Sequence, residues 1–236
     1  MPGYIIHLTE AKLIFDILKQ KNKLDKEYFN EWLQDFSYGA LLPDAVRKEQ
    51  KADSHFWNRG QISCIVMAPQ INCFLNKYNV SVDSAVLLGY RAHLDLDLKF
   101  WKEYMNKCVE FRDSNQNPTE DIRMVKSVFI RKSSKAILLE EFFSAEYLYG
   151  DYTKLNKYLI KKYNLNVPEY NQRYHNIVKE VKSEDMERVL ANLKRYLMES
   201  EEKVLKVFSK DSLEKFIENT ARQFCERVIA GKHEWK

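Results

Sequence analysis

His93 and Asp97 stand one helical turn apart in the stretch Gly89-Tyr-Arg-Ala-His93-Leu-Asp-Leu-Asp97, which reads as helix. That spacing sets an imidazole and a carboxylate on one face, where they can share an ion. Imidazole nitrogen and carboxylate oxygen both hold zinc at roughly 2.0–2.2 Å. Further donors have to come from elsewhere. Gly39-Ala-Leu-Leu-Pro43-Asp44 supplies a carboxylate, and Asp53-Ser54-His55-Phe56 supplies an imidazole. His7 is a third imidazole in the same part of the chain. Taken singly, a His-x-x-x-Asp pair also describes a solvated helix face, and a lone histidine often serves only a local hydrogen bond. Asp95 alternates with Asp97 and falls elsewhere on the helix, as an outer or surface group.

The elements that must position these residues read as helix after helix. Thr9 can cap a first helix over 10–19, with Leu13, Ile14, Ile17 and Leu18 on one face. Asp25 can start a second, which Gly39 ends. Residues 40–60 have poor periodicity and read as a functional loop. Helices are expected over 62–78 and, capped by Ser81, over 82–111. Residues 113–120 form a loop by their turn chemistry. Helices follow over 123–132 and 135–149, then one capped by Asp151 and reaching Tyr163. Two long amphipathic helices, 183–209 and 211–230, close the chain. Strand signals are scarce. The expected fold is therefore all-α, in one domain over residues 1–236.

The 236 residues suffice for a sizeable core, and 6 Gly and 5 Pro leave few breaks. A net charge of +4 permits an anionic substrate without demonstrating one. No run of like charges reads as a nucleic-acid tail, and the mixed Lys and Glu of the C-terminal helices read as a solvated face. Aromatic residues at helical spacing read as core. No signal peptide and no membrane-spanning segment are seen, which points to a cytoplasmic protein. Cys64, Cys73, Cys108 and Cys225 show no paired spacing, so reduced thiols are expected.

The order His7, then Gly39 to Pro43-Asp44, then Ser54-His55-Phe56, then Gly89-Tyr90 through His93-Leu94 to Asp97 resembles the bacterial zinc-dependent phospholipase C family. That family is related to the S1/P1-type nucleases. The resemblance runs from His7 to about residue 110. It implies an all-helical fold and a phosphoester substrate, which leaves phospholipid, nucleic acid and small phosphodiester open. It implies that Asp44, His55, His93 and Asp97 ligate one zinc or a bridged pair, with His7 and Asp97 on a neighbouring zinc. It places Asp44 at the position of the general base that activates a water held between metals. Where the family has a further histidine ligand, this chain has Glu103, a carboxylate that can replace it. The later His-x-x-x-Glu of the family is absent, since only His175 and His233 remain. Glu140, Glu141 and Asp151 can add oxygens but read more readily as surface. One or two ions are expected, zinc first, with Mn or Mg admitted by a carboxylate-rich set.

Other readings make distinct demands. A helical phosphohydrolase of the His-Asp type needs adjacent His and Asp, and no histidine here is followed by aspartate. A metal-binding protein of the same fold without activity needs only the ligands. A membrane-surface or nucleic-acid binder needs no metal chemistry at all.

Overall fold

The computed structural model describes residues 2–58, 60, 64–65, 67–174, 176–196 and 204–231. Helix α1 (Tyr4–Gln20) and helix α2 (Phe29–Leu41) come first. A 3-10 turn over Leu42–Asp44 leads to a short α3 (Lys51–Ser54) and to α4 (Ile71–Lys77). Helix α5 (Ala85–Lys99) runs on through a π-helical turn, Phe100–Met105, into a last turn α6 (Asn106–Cys108). Three strands follow: β1 (Val109–Arg112), β2 (Ser127–Ile130) and β3 (Lys135–Ile137). The chain then forms α7 (Leu139–Phe142), α8 (Leu148–Tyr163), α9 (Ser183–Tyr196) and α10 (Lys210–Ile229).

The protein is mostly helical but not all-α. The strands form one antiparallel sheet in the order β1-β2-β3, with Val109 opposite Ile130 and Val128 opposite Ile137. This corrects the helices expected over 123–132 and from 135, and the end of the helix expected to reach 111. The physical reason is period two. Val128 and Ile130 are buried while Ser127 and Phe129 are half-buried, as β-branched residues on a pleated surface require. Ser134, with φ of +53°, turns the chain back into β3.

Other boundaries moved too. Helix α1 begins at Tyr4, so His7 is helical, and the Thr9 hydroxyl donates back to the Ile5 carbonyl at 2.7 Å instead of capping. The 40–60 segment carries helical turns rather than open loop. Asp151 lies inside α8, and its carboxylate accepts from the backbone N–H groups of Lys206, Val207 and Phe208 at 2.9, 2.7 and 3.0 Å. The helix expected to reach 209 is described to Tyr196; residues 197–203 lie outside the described set, and 204–209 are not helical.

The core centres on α5, which packs against α1, α2, α4 and α10 and is buried on nearly every side. A helix so placed has to be apolar around its circumference unless it carries function. Helix α5 nonetheless brings Arg91, His93, Asp95, Asp97 and Lys99 inside. The crossing of α2 on α5 is closed by two glycines. A Cβ at Gly39 would strike the Val86 carbonyl, and one at Gly89 would strike the Phe36 carbonyl. Gly39 therefore does not end α2; it lets the backbones touch. Overpacking usually costs roughly 1–3 kcal/mol when side chains can yield, and here the obstacle is backbone. Gly89→Ala is expected to destabilise the fold by about 3 kcal/mol or more, read from the midpoint of urea unfolding. A loss below about 1 kcal/mol would contradict the close approach.

Among the described residues, no helix is long and apolar enough to cross a membrane. The four cysteines are free thiols.

Candidate metal centre

The fold brings His7, Asp44, His55, His93 and Asp97 to one buried point. Helix α1 contributes His7, the 3-10 turn after α2 contributes Asp44, the end of α3 contributes His55, and α5 contributes His93 and Asp97. Asp97 lies at the middle. Its Oδ1 is 3.6 Å from His7 Nε2, and its Oδ2 is 3.5 Å from both His55 Nε2 and His93 Nε2. Asp44 Oδ1 is 3.5 Å from His55 Nε2, and the two Nε2 atoms of His55 and His93 are 3.2 Å apart. His7 stacks on His93 with ring centroids 3.7 Å apart. Two overlapping sets, His7/Asp44/His93 and His55/His93/Asp97, each offer three donor atoms within 4.8 Å of one another.

The flanking residues of the sequence pattern turn out to be braces. Ser54 Oγ donates to the Pro43 carbonyl at 2.7 Å, which ties the turn bearing Asp44 to the turn bearing His55. The Tyr90 hydroxyl donates to the Ser54 carbonyl and ties both to α5. Phe56, with φ of +50°, reverses the chain directly after His55, and its ring packs edge-on against Phe74 and Tyr90. His93 Nδ1 lies 2.8 Å from the Ala40 carbonyl, at the crossing that Gly39 and Gly89 keep tight. His55 Nδ1 lies 3.1 Å from the Lys51 carbonyl. In both cases a carbonyl accepts the Nδ1 proton, which turns Nε2 towards Asp97. Histidine ligands are commonly oriented in this way.

Asp97 Oδ1 and Oδ2 and His7 Nδ1 and Nε2 are buried without a hydrogen-bond partner. Buried polar atoms are rarely left so, because each costs about 1–3 kcal/mol. A cation among these five side chains would satisfy the carboxylate oxygens and an imidazole nitrogen together, so the residues present fit a divalent ion.

The electrostatics agree. Burial would raise the Asp97 carboxyl, but His93, with His55 and His7, outweighs it and holds Asp97 at about 2. Burial would likewise raise Asp44; the His55 contact and the Lys51 ammonium hold it well below the usual carboxylate range. Burial pushes His7 well down, reinforced by His93, and pushes His55 down. His93 goes the other way: burial lowers it, but Asp97 beside it prevails and raises it. Near neutral pH, then, His7 and His55 are ready lone-pair donors and both carboxylates are charged. His93 is the imidazole most disposed to hold a second proton, which an ion would have to displace. Metal loading is expected to release protons, and affinity is expected to fall as pH drops. Calorimetry in buffers of different ionisation enthalpy reads that release directly; none at any pH would contradict it.

Not every expected ligand arrives. Glu103 is exposed on the π-helical turn, against residues of α10, and does not reach the cluster. The π turn rotates the helix after Lys99, so the register that a straight helix would give is lost. Glu140 is exposed and Glu141 half-exposed, and Asp151 is spent on the backbone of 206–208. His175 and His233 lie outside the described residues. Asp95 is not a surface group. It is buried, 3.4 Å from Lys99 Nζ and paired with Arg227, and so binds α5 to α10.

Lys51 is a further polar residue at the site that the sequence pattern does not mark. Its Nζ donates to Asp44 Oδ1 at 2.8 Å while its carbonyl faces His55. The i, i+4 spacing of Lys51 and His55 was the available signal, hidden by reading 40–60 as loop. Asp44 and Lys51 line a cavity of about 390 Å³ together with Tyr4, Tyr149, Tyr152 and Asn156.

No family model matches the chain, and no curated protein or solved structure matches it either.

Proposed function

We propose that the chain is a metal-dependent hydrolase of phosphoester bonds, zinc being the first candidate ion, similar in kind to the phospholipase C family. The observation that carries this reading is the buried convergence of three imidazoles and two carboxylates, in which both Asp97 oxygens and both His7 nitrogens have no hydrogen-bond partner. One or two ions suit the two overlapping donor sets, and Mn or Mg remain compatible with the carboxylates.

His7, His55, His93 and Asp97 would hold the ion side of the site, and Asp44 would bridge that side to the cavity. An ion bound there lowers the pKa of a coordinated water towards neutrality and offsets charge on phosphoryl oxygens. Asp44, charged and held by Lys51, accepts a hydrogen bond from the attacking water and orients it. Tyr149 and Tyr152 line the cavity where the substrate's remaining groups would lie.

A metal-binding protein without activity is the second reading. Glu103 being turned away favours it, because no further cluster of such donors accompanies these among the described residues. The test is metal analysis of the purified protein together with turnover of bis-p-nitrophenyl phosphate before and after chelation. Metal with chelation-sensitive turnover is expected. Metal without turnover of any phosphoester leaves the second reading, and a metal-free, metal-indifferent protein removes both.

A further inference from the structure

Among the described residues, Lys51 presents the one ammonium group that touches both a donor of the cluster and the cavity. Its Nζ sits 2.8 Å from Asp44 Oδ1, and Asp44 and Lys51 line the same 390 Å³ space. An ammonium carries three donors, and Asp44 takes one. The side chain is about a quarter exposed and lines the cavity, which leaves donors for a ligand that enters it. The backbone of the same residue is fixed by the His55 contact to its carbonyl. The charge is therefore held at the mouth of the donor cluster by a short helix rather than carried on a loose arm.

Around it the cavity is walled by Tyr4, Tyr149 and Tyr152, with Asn156 as a buried amide. Among the described residues, no carboxylate besides Asp44 lines it. A space of this volume suits a small headgroup, with apolar rings for burial and a few polar groups for orientation. A fixed cation beside a charged carboxylate and an ion site calls for an anion with several oxygens, one to face the ion and one to face the ammonium.

We propose that Lys51 is the phosphoryl-binding residue of this cavity, donating to a non-bridging oxygen of a compact phosphoester whose other oxygens face the metal site. The proposal rests on the hydrolase reading for the identity of the anion. It assigns to Lys51 contact with substrate, not ligation of metal. The phosphoryl group can belong to a water-soluble ester or to a lipid headgroup, since Lys51 reads only the shared oxygen chemistry.

The probe is inorganic phosphate, titrated into full-length wild type, Lys51→Met and Lys51→Arg. Binding is followed by phosphorus NMR line broadening, once with zinc present and once after chelation, with metal content measured on every sample. Losing a charge-assisted hydrogen bond is expected to weaken phosphate binding by about ten- to a hundred-fold in Lys51→Met. Metal content should stay at the wild-type level, and Lys51→Arg should recover most of the affinity. Where turnover is present, phosphate inhibition and KM should shift with Lys51→Met more than kcat does. Bis-p-nitrophenyl phosphate and phosphatidylcholine vesicles are the two substrate arms, and the shift must appear in whichever arm the wild type turns over. Phosphate binding unchanged in Lys51→Met, or absent from wild type in both conditions, overturns the proposal. Loss of metal in Lys51→Met that Lys51→Arg does not restore also overturns it, because Lys51 would then serve the donor cluster and not the ligand. A metal-free wild type that still binds phosphate through Lys51 would sink the hydrolase reading alone.

Discussion

Asp97→Ala is expected to abolish metal binding while leaving the helical fold in place. The reason is its position. One carboxylate faces His7, His55 and His93 at 3.5–3.6 Å, so its removal breaks both sides of the cluster at once. Loss of an outer partner of a metal ligand commonly costs 10–100-fold in affinity, so loss of the shared carboxylate should cost at least about 100-fold. His93→Ala should behave similarly, since His93 belongs to both donor sets. Deleting Asp97 should destabilise the metal-free protein as well, because the imidazoles that hold its carboxyl at about 2 lose their buried counter-charge. The measurement is metal content by mass spectrometry beside unfolding of the metal-free proteins in urea. Variants that keep one ion per chain would show that the five residues are a buried polar cluster and nothing more.

Asp44→Asn is expected to lower turnover of a generic phosphodiester by about 10²-fold or more while keeping most of the metal, because a positioned base contributes typically 10²–10⁴-fold. The lower end of that range is the one expected. Lys51 and His55 hold the Asp44 carboxyl well below the usual carboxylate range, which makes it a weak acceptor of protons but a fixed acceptor of hydrogen bonds. Asparagine preserves the oxygen and the volume, so the donor set keeps its shape. It removes the charge that pairs with Lys51, which frees the ammonium to move. The KM for an anionic substrate should still change less than kcat, because Lys51 keeps its charge. Full activity in Asp44→Asn would remove Asp44 from the attack on phosphorus. Parallel loss of activity and of metal would make it a ligand only.

The five residues themselves were legible because two of them sit at helical spacing and the others carry distinctive neighbours. Gly39, Pro43, Ser54, Gly89 and Tyr90 drew attention as parts of a pattern. Their physical meaning became readable only in three dimensions, as a tight helix crossing and a set of hydrogen bonds that hold the donors. Glu103 failed because its expected register assumed a straight helix, and a π turn changes the register at Phe100. The sheet failed because its strands are three or four residues long, too short to outweigh helical signals on either side. Asp95 was misread because a charged residue on a polar-looking helix usually faces water. Its partner Arg227 lies in α10, 132 residues away, where no local pattern can announce it. Lys51 was missed for a related reason: its functional neighbour Asp44 is reached through a turn that looked irregular in sequence.

The most direct test of the central claim is a crystal of the protein loaded with zinc, measured on both sides of the zinc absorption edge. An anomalous peak enclosed by His7, Asp44, His55, His93 and Asp97 is expected, alone or as a close pair. A zinc-saturated crystal with no peak among those five side chains, or with its ions held elsewhere, would contradict the account.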